Sequence, residues 1–394
     1  MSKFLFVSTY DLRRNTSGNI RTIALMNSLH DAGHLVHCIF VPTNNVSDKS
    51  IFDNLVRVDR LITYPKTQIV CVAASEEIIE RKLGFKGKLR GLLINLFSKF
   101  SVYDVFRIPL YKLKKSDLSE LDDSYDYIVS SSEPRSSHLF AERIIKMRQY
   151  KSKWILYWGD PMSNDVASNK IFGGLEEKEE RRLILSSNLS IYTNPCAVSY
   201  MKSKYTQLAS KLTWIPTTDF KKDNCDIERG DVARIGYFGD YRQMYRNIEP
   251  FYQACLERHY STVIIGGGDN KLQSKGTVEV YGRMTRDEVK FYEKQCGILV
   301  VLENFSKTGN CIQVPGKLYH YGLTYKYILV ITESSNISKE YECFNRFVFV
   351  QNEKSKIAET INDIQAGKFD YLNICPVEDF RYDRIAKVFY SLIQ

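Results

Sequence analysis

The feature that most restricts this chain is a pattern that runs, stops and starts again. An apolar run at 3–9 (KFLFVST) meets a polar loop at 10–19 holding one glycine. Helical spacing of Ile23, Ala24, Met26, Asn27 and His30 follows over 20–32, then Gly33 and a second apolar run at 35–41 (LVHCIFV). Strand, helix and strand in that order form a β-α-β unit, which builds a parallel sheet through a right-handed crossover. The same reading predicts strands at 69–73, 127–130, 154–158, 189–192 and 212–215, and helices over 138–148 and 176–187. The stretch 217–231 (TTDFKKDNCDIERGD) is polar and aperiodic. Beyond it the alternation restarts, with strands at 234–238, 262–265, 278–280, 298–302, 327–331 and 347–350 and helices over 247–258, 286–295 and 317–324. Strands alternating with helices mean an α/β domain, and the restart means two of them. The expected division is a first domain at 1–216, a linker at 217–232, a second domain at 233–376, and a final helix within 377–394 that returns to the first domain.

A chain of 394 residues is long enough for two hydrophobic cores. Hydrophobic residues make up 44% and charged residues 26%, which places it among water-soluble globular proteins. No apolar run reaches the ~18 residues of a membrane-spanning helix, and the run at 4–7 is too short for a signal-peptide core. The nine cysteines are odd in number and never spaced Cys-x-x-Cys, against a disulfide framework or a zinc site. The expected setting is the cytoplasm, with no bound metal and no cofactor.

Charge is not spread evenly. Between Arg81 and Lys115 there are ten Lys/Arg and one acid, Asp104, so this basic insertion at 81–115 carries the whole net charge of +9. Within it, Leu92, Leu93, Leu96, Phe97 and Phe100 share one helical face with basic residues at both ends. That suits an interfacial helix on an anionic membrane leaflet, or a solvated helix packed on its own domain. Nucleic acid is the competing polyanion, but no pattern of a nucleic-acid-binding module is present.

Five places carry candidate chemistry. Gly239 and Asp240 close the run IGYFGD (235–240), with Arg242 and Arg246 just beyond. Glycine at a strand end lets the backbone approach a ligand, and arginine grips a diphosphate bidentately. Gly266, Gly267 and Gly268 follow the next strand, where open α/β sheets bind ligands, although no GxGxxG or Walker pattern is formed. The polar loop 303–315 leads into Gly316 and Lys317 at a predicted helix start, where unpaired N–H groups and the helix dipole favour an anion. In the first half, Gly18 and Asn19 lie between strand and helix, and Asp160 stands at a strand end beside Gly159, placed to orient or deprotonate an acceptor hydroxyl. Each has a plainer reading: a tight turn, a solvated lysine, a capping aspartate. His34 and His37 read as structural; His138 reads either as a cap or as a cleft residue.

Taken in order, "AGHLVH", "IGYFGD", "IIGGG", "VEVYG" and "QVPGKLYHYGLTYKYIL" resemble the GT-B glycosyltransferases, in particular family-4-like enzymes of bacterial surface-polysaccharide synthesis. The last segment looks like that family's Pro-x-Lys-φ-x-Glu-Tyr motif. The resemblance implies two Rossmann-like domains facing a cleft and a UDP- or GDP-sugar donor held by the second. It implies a glycan or lipid-linked glycan acceptor on the first, met at the inner membrane face in capsule or O-antigen synthesis. Carried over, Arg242 or Arg246 and Lys317 grip the diphosphate, and Tyr281 lies near the nucleobase. Asn310 and Gln313 line the donor sugar and phosphate. His320 stands where the family has a glutamate for the ribose, and Ile312 where its partner glutamate falls, so the paired-glutamate motif is absent. Two rivals share these features: a sugar-nucleotide epimerase of the same fold, and an inactive partner subunit of another glycosyltransferase.

Overall fold

The computed structural model describes residues 1–13, 16–42, 56–65, 101–164, 173–218, 228–242, 246–268, 272–304 and 312–394. The predicted strand at 69–73, the basic segment 81–100, most of the linker, and Asn310 lie outside the described residues. The chain forms two compact units. One comprises Met1–Ile215, Asp219–Lys221 and Ile385–Gln394; the other comprises Pro216–Thr218 and Lys222–Arg384.

The first unit is built from β1 (Lys3–Ser8), α1 (Ser17–Asp31), β2 (Leu35–Phe40), β3 (Arg60–Thr63), β4 (Tyr127–Ser131), α2 (Ser136–Arg148), β5 (Lys153–Trp158), α3 (Gly173–Ser186), β6 (Leu189–Tyr192), α4 (Pro195–Lys204) and β7 (Leu212–Trp214). Its strands are parallel throughout, in the order β3-β2-β1-β4-β5-β6-β7. Successive side chains of a strand point to opposite faces. Leu5, Val7, Ile128, Leu156 and Trp158 therefore join one apolar cluster with α2, α3 and α4, while Phe4, Phe6, Val129, Ile155 and Tyr157 join another with α1. Burial on both faces explains why these strands read as unbroken apolar runs. The edge strand β3, with three of its four residues exposed, gave no such signal.

Helix α1 starts at Ser17, three residues before its predicted start, because the Thr16 side chain accepts the Asn19 N–H and caps it. Gly18 and Asn19 thus sit in the first helical turn and not in the preceding loop.

The second unit contains β8 (Asp231–Phe238), α5 (Glu249–Arg258), β9 (Ser261–Ile265), β10 (Val278–Tyr281), α6 (Arg286–Gln295), β11 (Cys296–Leu302), α7 (Lys317–Gly322), β12 (Tyr327–Thr332), α8 (Asn336–Tyr341), β13 (Val348–Gln351) and α9 (Lys354–Gln365). The parallel order is β10-β9-β8-β11-β12-β13. Strand β8 begins inside the expected linker. Two 3₁₀ turns, Val105–Lys112 and Lys115–Leu118, lie in and just beyond the C-terminal end of the basic insertion, where no element was predicted.

The final helix, α10 (Tyr382–Ile393), re-enters the first unit. Ile385, Ala386, Phe389 and Ile393 are buried in the cluster that holds Phe4 and Phe6. Their i, i+1, i+4, i+8 spacing makes one apolar stripe, and Lys153 Nζ donates to the carbonyls of Ile393 and Gln394 at the helix end, both 2.9 Å. Truncating the fully buried Phe389 to alanine should lower unfolding free energy by about 3–5 kcal/mol, read by denaturant titration; a loss under about 1 kcal/mol would mean that α10 is not part of this core.

Candidate functional site

In both sheets the chain moves outward in one direction from its first strand and then resumes on the other side. In the second unit this reversal lies between β8 and β11, and ligands of open α/β sheets bind beyond the strand ends at such a point. The residues there are Gly239 and Asp240 after β8, Gly266–Gly268 after β9, and Glu303 and Asn304 after β11.

Arg246 spans this crevice. Its Nη1 donates to the Asp240 carbonyl (3.0 Å), and Nε and Nη2 donate to Asn304 Oδ1 (3.0 and 2.6 Å). These acceptors are uncharged, so they fix the guanidinium without neutralising it. Asn304 is aimed in turn by its Nδ2 donating to Gln313 Oε1 (3.1 Å), and the Tyr237 hydroxyl also donates to the Asp240 carbonyl (2.9 Å).

Lys317 lies beside Gly239, where a Cβ would stand 3.8 Å from its Cε. Its Nζ is 3.5 Å from Glu293 Oε1 and 3.4 Å from the Tyr321 hydroxyl. Burial lowers its pKa; Glu293 opposes this, and the nearby charges of Arg286 and Arg246 reinforce it. An entering anion would raise that pKa again. The structure corrects one step of the sequence argument. Helix α7 spans only six residues, too short for a strong dipole, and Glu293 already gives Lys317 a counter-charge. The lysine at the helix start is therefore not in itself a sign of a bound anion. What the fold supplies is its proximity to Arg246.

Asp240 organises the other rim. Its Oδ1 accepts from the Gly267 N–H (2.9 Å) and Arg283 Nε (3.0 Å), and its Oδ2 accepts from Arg283 Nη2 (2.7 Å). Burial pushes this carboxyl upward, but the Arg283 and Gly267 hydrogen bonds with the Arg283 and Arg246 charges hold it below its usual value. The neighbouring Gly266 has a steric reason, since a Cβ there would come within 1.9 Å of the Gly239 carbonyl oxygen. Glu303 is buried and ties the ends of β11 and β12, accepting from the N–H groups of Glu333 (2.7 Å) and Ser334 (3.0 Å).

Of the residues named from sequence, the fold gathers Gly239, Arg246, Gln313 and Lys317 at the crevice and joins Gly267 through Asp240. Arg242 is exposed, and its carbonyl accepts the Arg246 N–H at 2.7 Å. Gly316 precedes α7, and half-buried His320 lies within it. Tyr281 ends β10, two strands from β8, with its ring 5.5 Å from that of Tyr292 and its hydroxyl donating to Glu279 Oε2 (2.8 Å). Arg283 and Glu293 were not singled out; Glu303 and Asn304, one and two residues beyond an apolar run, fell within the polar loop 303–315 without being named individually.

In the first unit, Arg21 lies between Gly18 and Gly159. Its guanidinium donates to the Ser132 carbonyl, and a Cβ at Gly159 would stand 2.3 Å from its Nη2. The turn carrying Asp160 is anchored from below. Glu180, fully buried, accepts from the Met162 N–H (2.6 Å) and Ser163 Oγ (2.6 Å), and burial raises its pKa. His138 belongs to the core: it is fully buried, packs 4.1 Å from the Trp158 ring, and shares a 2.7 Å hydrogen bond with Ser130 Oγ. His37 is buried against Tyr125, and His34 Nδ1 accepts the Ser2 N–H (3.2 Å), so both are structural.

No protein-family model and no curated protein sequence matches the chain. Solved structures do. Sucrose-phosphate synthase from Thermosynechococcus elongatus superposes with a TM-score of 0.59 at 14% identity, covering 99% of this chain and 96% of that one. HepE of Anabaena, solved with UDP and glucose, gives 0.56 at 11%, covering 99% and 95%. UDP-GlcNAc 2-epimerase from Neisseria meningitidis, bound to UDP-GlcNAc, gives 0.52 at 11%, covering 99% and 99%. The chain has the two-domain, Rossmann-like GT-B fold. The GT-B fold here matches the expected fold class, and its neighbours include both glycosyltransferases and epimerases that use UDP-sugars. No helix among the described residues is long and apolar enough to cross a membrane.

Burial lowers the pKa of His138 to about 3 from 6.5. The unfolded chain therefore takes up a proton that the folded chain refuses, and stability is lost as pH falls from 6.5 toward about 3. From this one group the loss is about 1.4 kcal/mol per pH unit. A His138→Gln variant should show a shallower acid slope in denaturant titrations across that window; an unchanged slope would mean that His138 protonates in the folded state.

Proposed function

We propose that this chain is a metal-independent glycosyltransferase that moves a sugar from a nucleoside-diphosphate sugar to a glycan or lipid-linked glycan. The observation that carries the reading is Arg246, fixed at the crevice by uncharged oxygens, with Lys317 as a second nearby cation. Two preorganised cations are what a departing diphosphate needs, and they do the work that a metal ion does elsewhere. The UDP and UDP-sugar complexes of the similar proteins support a UDP-linked over a GDP-linked donor.

In this reading the acceptor hydroxyl attacks the anomeric carbon as the bond from that carbon to the phosphate oxygen breaks. Arg246 and Lys317, with Arg242 at the rim, take up the charge that develops on the leaving diphosphate. Asp160 orients the hydroxyl and receives its proton. Gly239 and Gly267 let the backbone approach the donor, and Tyr281 lies toward the nucleobase. Gln313, Gly316 and His320 line the donor sugar and ribose, while Gly18 contributes to the acceptor side. The setting is the cytoplasmic face of an anionic membrane, in surface-polysaccharide synthesis.

The test is a thermal-shift panel of UDP, GDP and CMP followed by turnover with the nucleotide sugar that binds. A ligand bound only by the folded state raises its melting temperature. UDP should stabilise the protein, Arg246→Ala should abolish most of the shift, and Lys317→Ala should lower turnover by about one to three orders of magnitude. Full turnover in both variants would remove these residues from the mechanism. The assay is run with and without acceptor, because the same fold serves 2-epimerases: isomerised donor appearing without acceptor would replace transfer by epimerisation.

A further inference from the structure

In sequence, helix α3 is close to charge-balanced, with Glu176, Glu177, Glu179 and Glu180 set against Lys178, Arg181 and Arg182. Folding sorts these charges. Glu176 turns inward and pairs with buried Arg135. Glu180 is buried under the Met162–Asn164 turn. Glu179 accepts from Arg182 and from the Tyr103 hydroxyl, and Glu177 lies 3.4 Å from Lys204 Nζ. Lys178 and Arg181 are left exposed, engaged by no ion pair among the described residues.

These two cations flank an apolar groove of about 690 Å3 whose floor includes Val102, Tyr103, Leu175 and Leu185. Leu175 and Leu185 remain 49% and 46% exposed, one helical face apart by ten residues. The adjoining 3₁₀ turn adds Ile108 and Tyr111, 56% and 60% exposed, with the Arg107 and Arg143 guanidinium groups 5.8 and 5.3 Å from the Tyr111 ring centre. Large apolar side chains held outward, ringed by cations and an amphipathic tyrosine, match the layered chemistry of a bilayer surface. Ser101, Val102, Tyr103 and Arg107 form one side of the groove, and the segment 101–115 to which they belong carries Arg107, Lys112, Lys114 and Lys115 against Asp104, an excess of positive charge.

We propose that this face of α3 and the Val105–Lys112 turn docks on an anionic phospholipid bilayer. Lys178 and Arg181 lie among the lipid phosphates, and Leu175, Leu185, Ile108 and Tyr111 enter the acyl boundary. It deepens the membrane setting proposed above by naming the surface, and its test needs neither turnover nor nucleotide.

The full chain is sedimented with vesicles of phosphatidylcholine alone and of phosphatidylcholine mixed with phosphatidylglycerol. Binding is expected on the mixed vesicles, weakening with salt. Each lost cation should cost about fivefold, so Lys178→Glu with Arg181→Glu should weaken binding by about 25-fold or more. Leu175→Ser with Leu185→Ser should weaken it as well, with the melting temperature kept. Undiminished binding by the charge variant overturns the proposal, as do equal binding to the neutral vesicles and no vesicle binding at all. Loss of self-association in the same variants, without vesicle binding, would assign the face to a second copy instead. A failed nucleotide shift alongside intact vesicle binding would strike the donor-site reading and leave this one standing.

Discussion

The second unit is organised around one guanidinium held without being neutralised. Arg246 could have been paired with a carboxylate, and its charge would then have been spent inside the protein. Its acceptors are the Asp240 carbonyl and the Asn304 amide oxygen, which orient the fork and leave the charge for something outside. The nearest carboxylate of that loop, Asp240, is committed to Arg283 and the Gly267 N–H. Three loops from three strand ends are thereby locked to each other, and the anion-binding reading follows from that geometry.

Lys317 differs in kind. It has a counter-charge in Glu293 and a lowered pKa through burial. A cation of this sort responds to its neighbours, and an anion entering beside it would compete with Glu293 for it. Arg246 supplies a fixed field and Lys317 an adjustable one. That division suits a site that must grip a leaving group as charge develops and then let it go.

The same sorting of charge recurs on helix α3, at a different place and for a different end. There the acids are drawn inward or into pairs by Arg135, Ser163, Arg182 and Lys204, and two cations remain outside. A count of charges along the helix shows none of this, because direction around the axis decides it. The buried groups Glu180 and His138 show the complementary rule. Each is accepted inside only with polar partners, and each carries a pKa displaced toward its neutral form.

The amino-acid sequence by itself determined the two parallel sheets, because strands buried on both faces must be apolar at every position, and runs such as FLFV and WILYW have few other uses. It also placed the glycines and Arg246 beyond strand ends, since turns there need small or polar residues. It could not separate Arg246 from Arg242, which differ in what they touch and not in kind. It set the start of α1 too late, missing the Thr16 cap, and made α7 longer than its six residues. Only tertiary structure put Asn304, Glu293 and Asp240 beside the two cations, because those contacts join residues up to 58 positions apart in the chain. Local pattern reports which face of an element is buried; what stands opposite that face is fixed by how the sheet orders its strands.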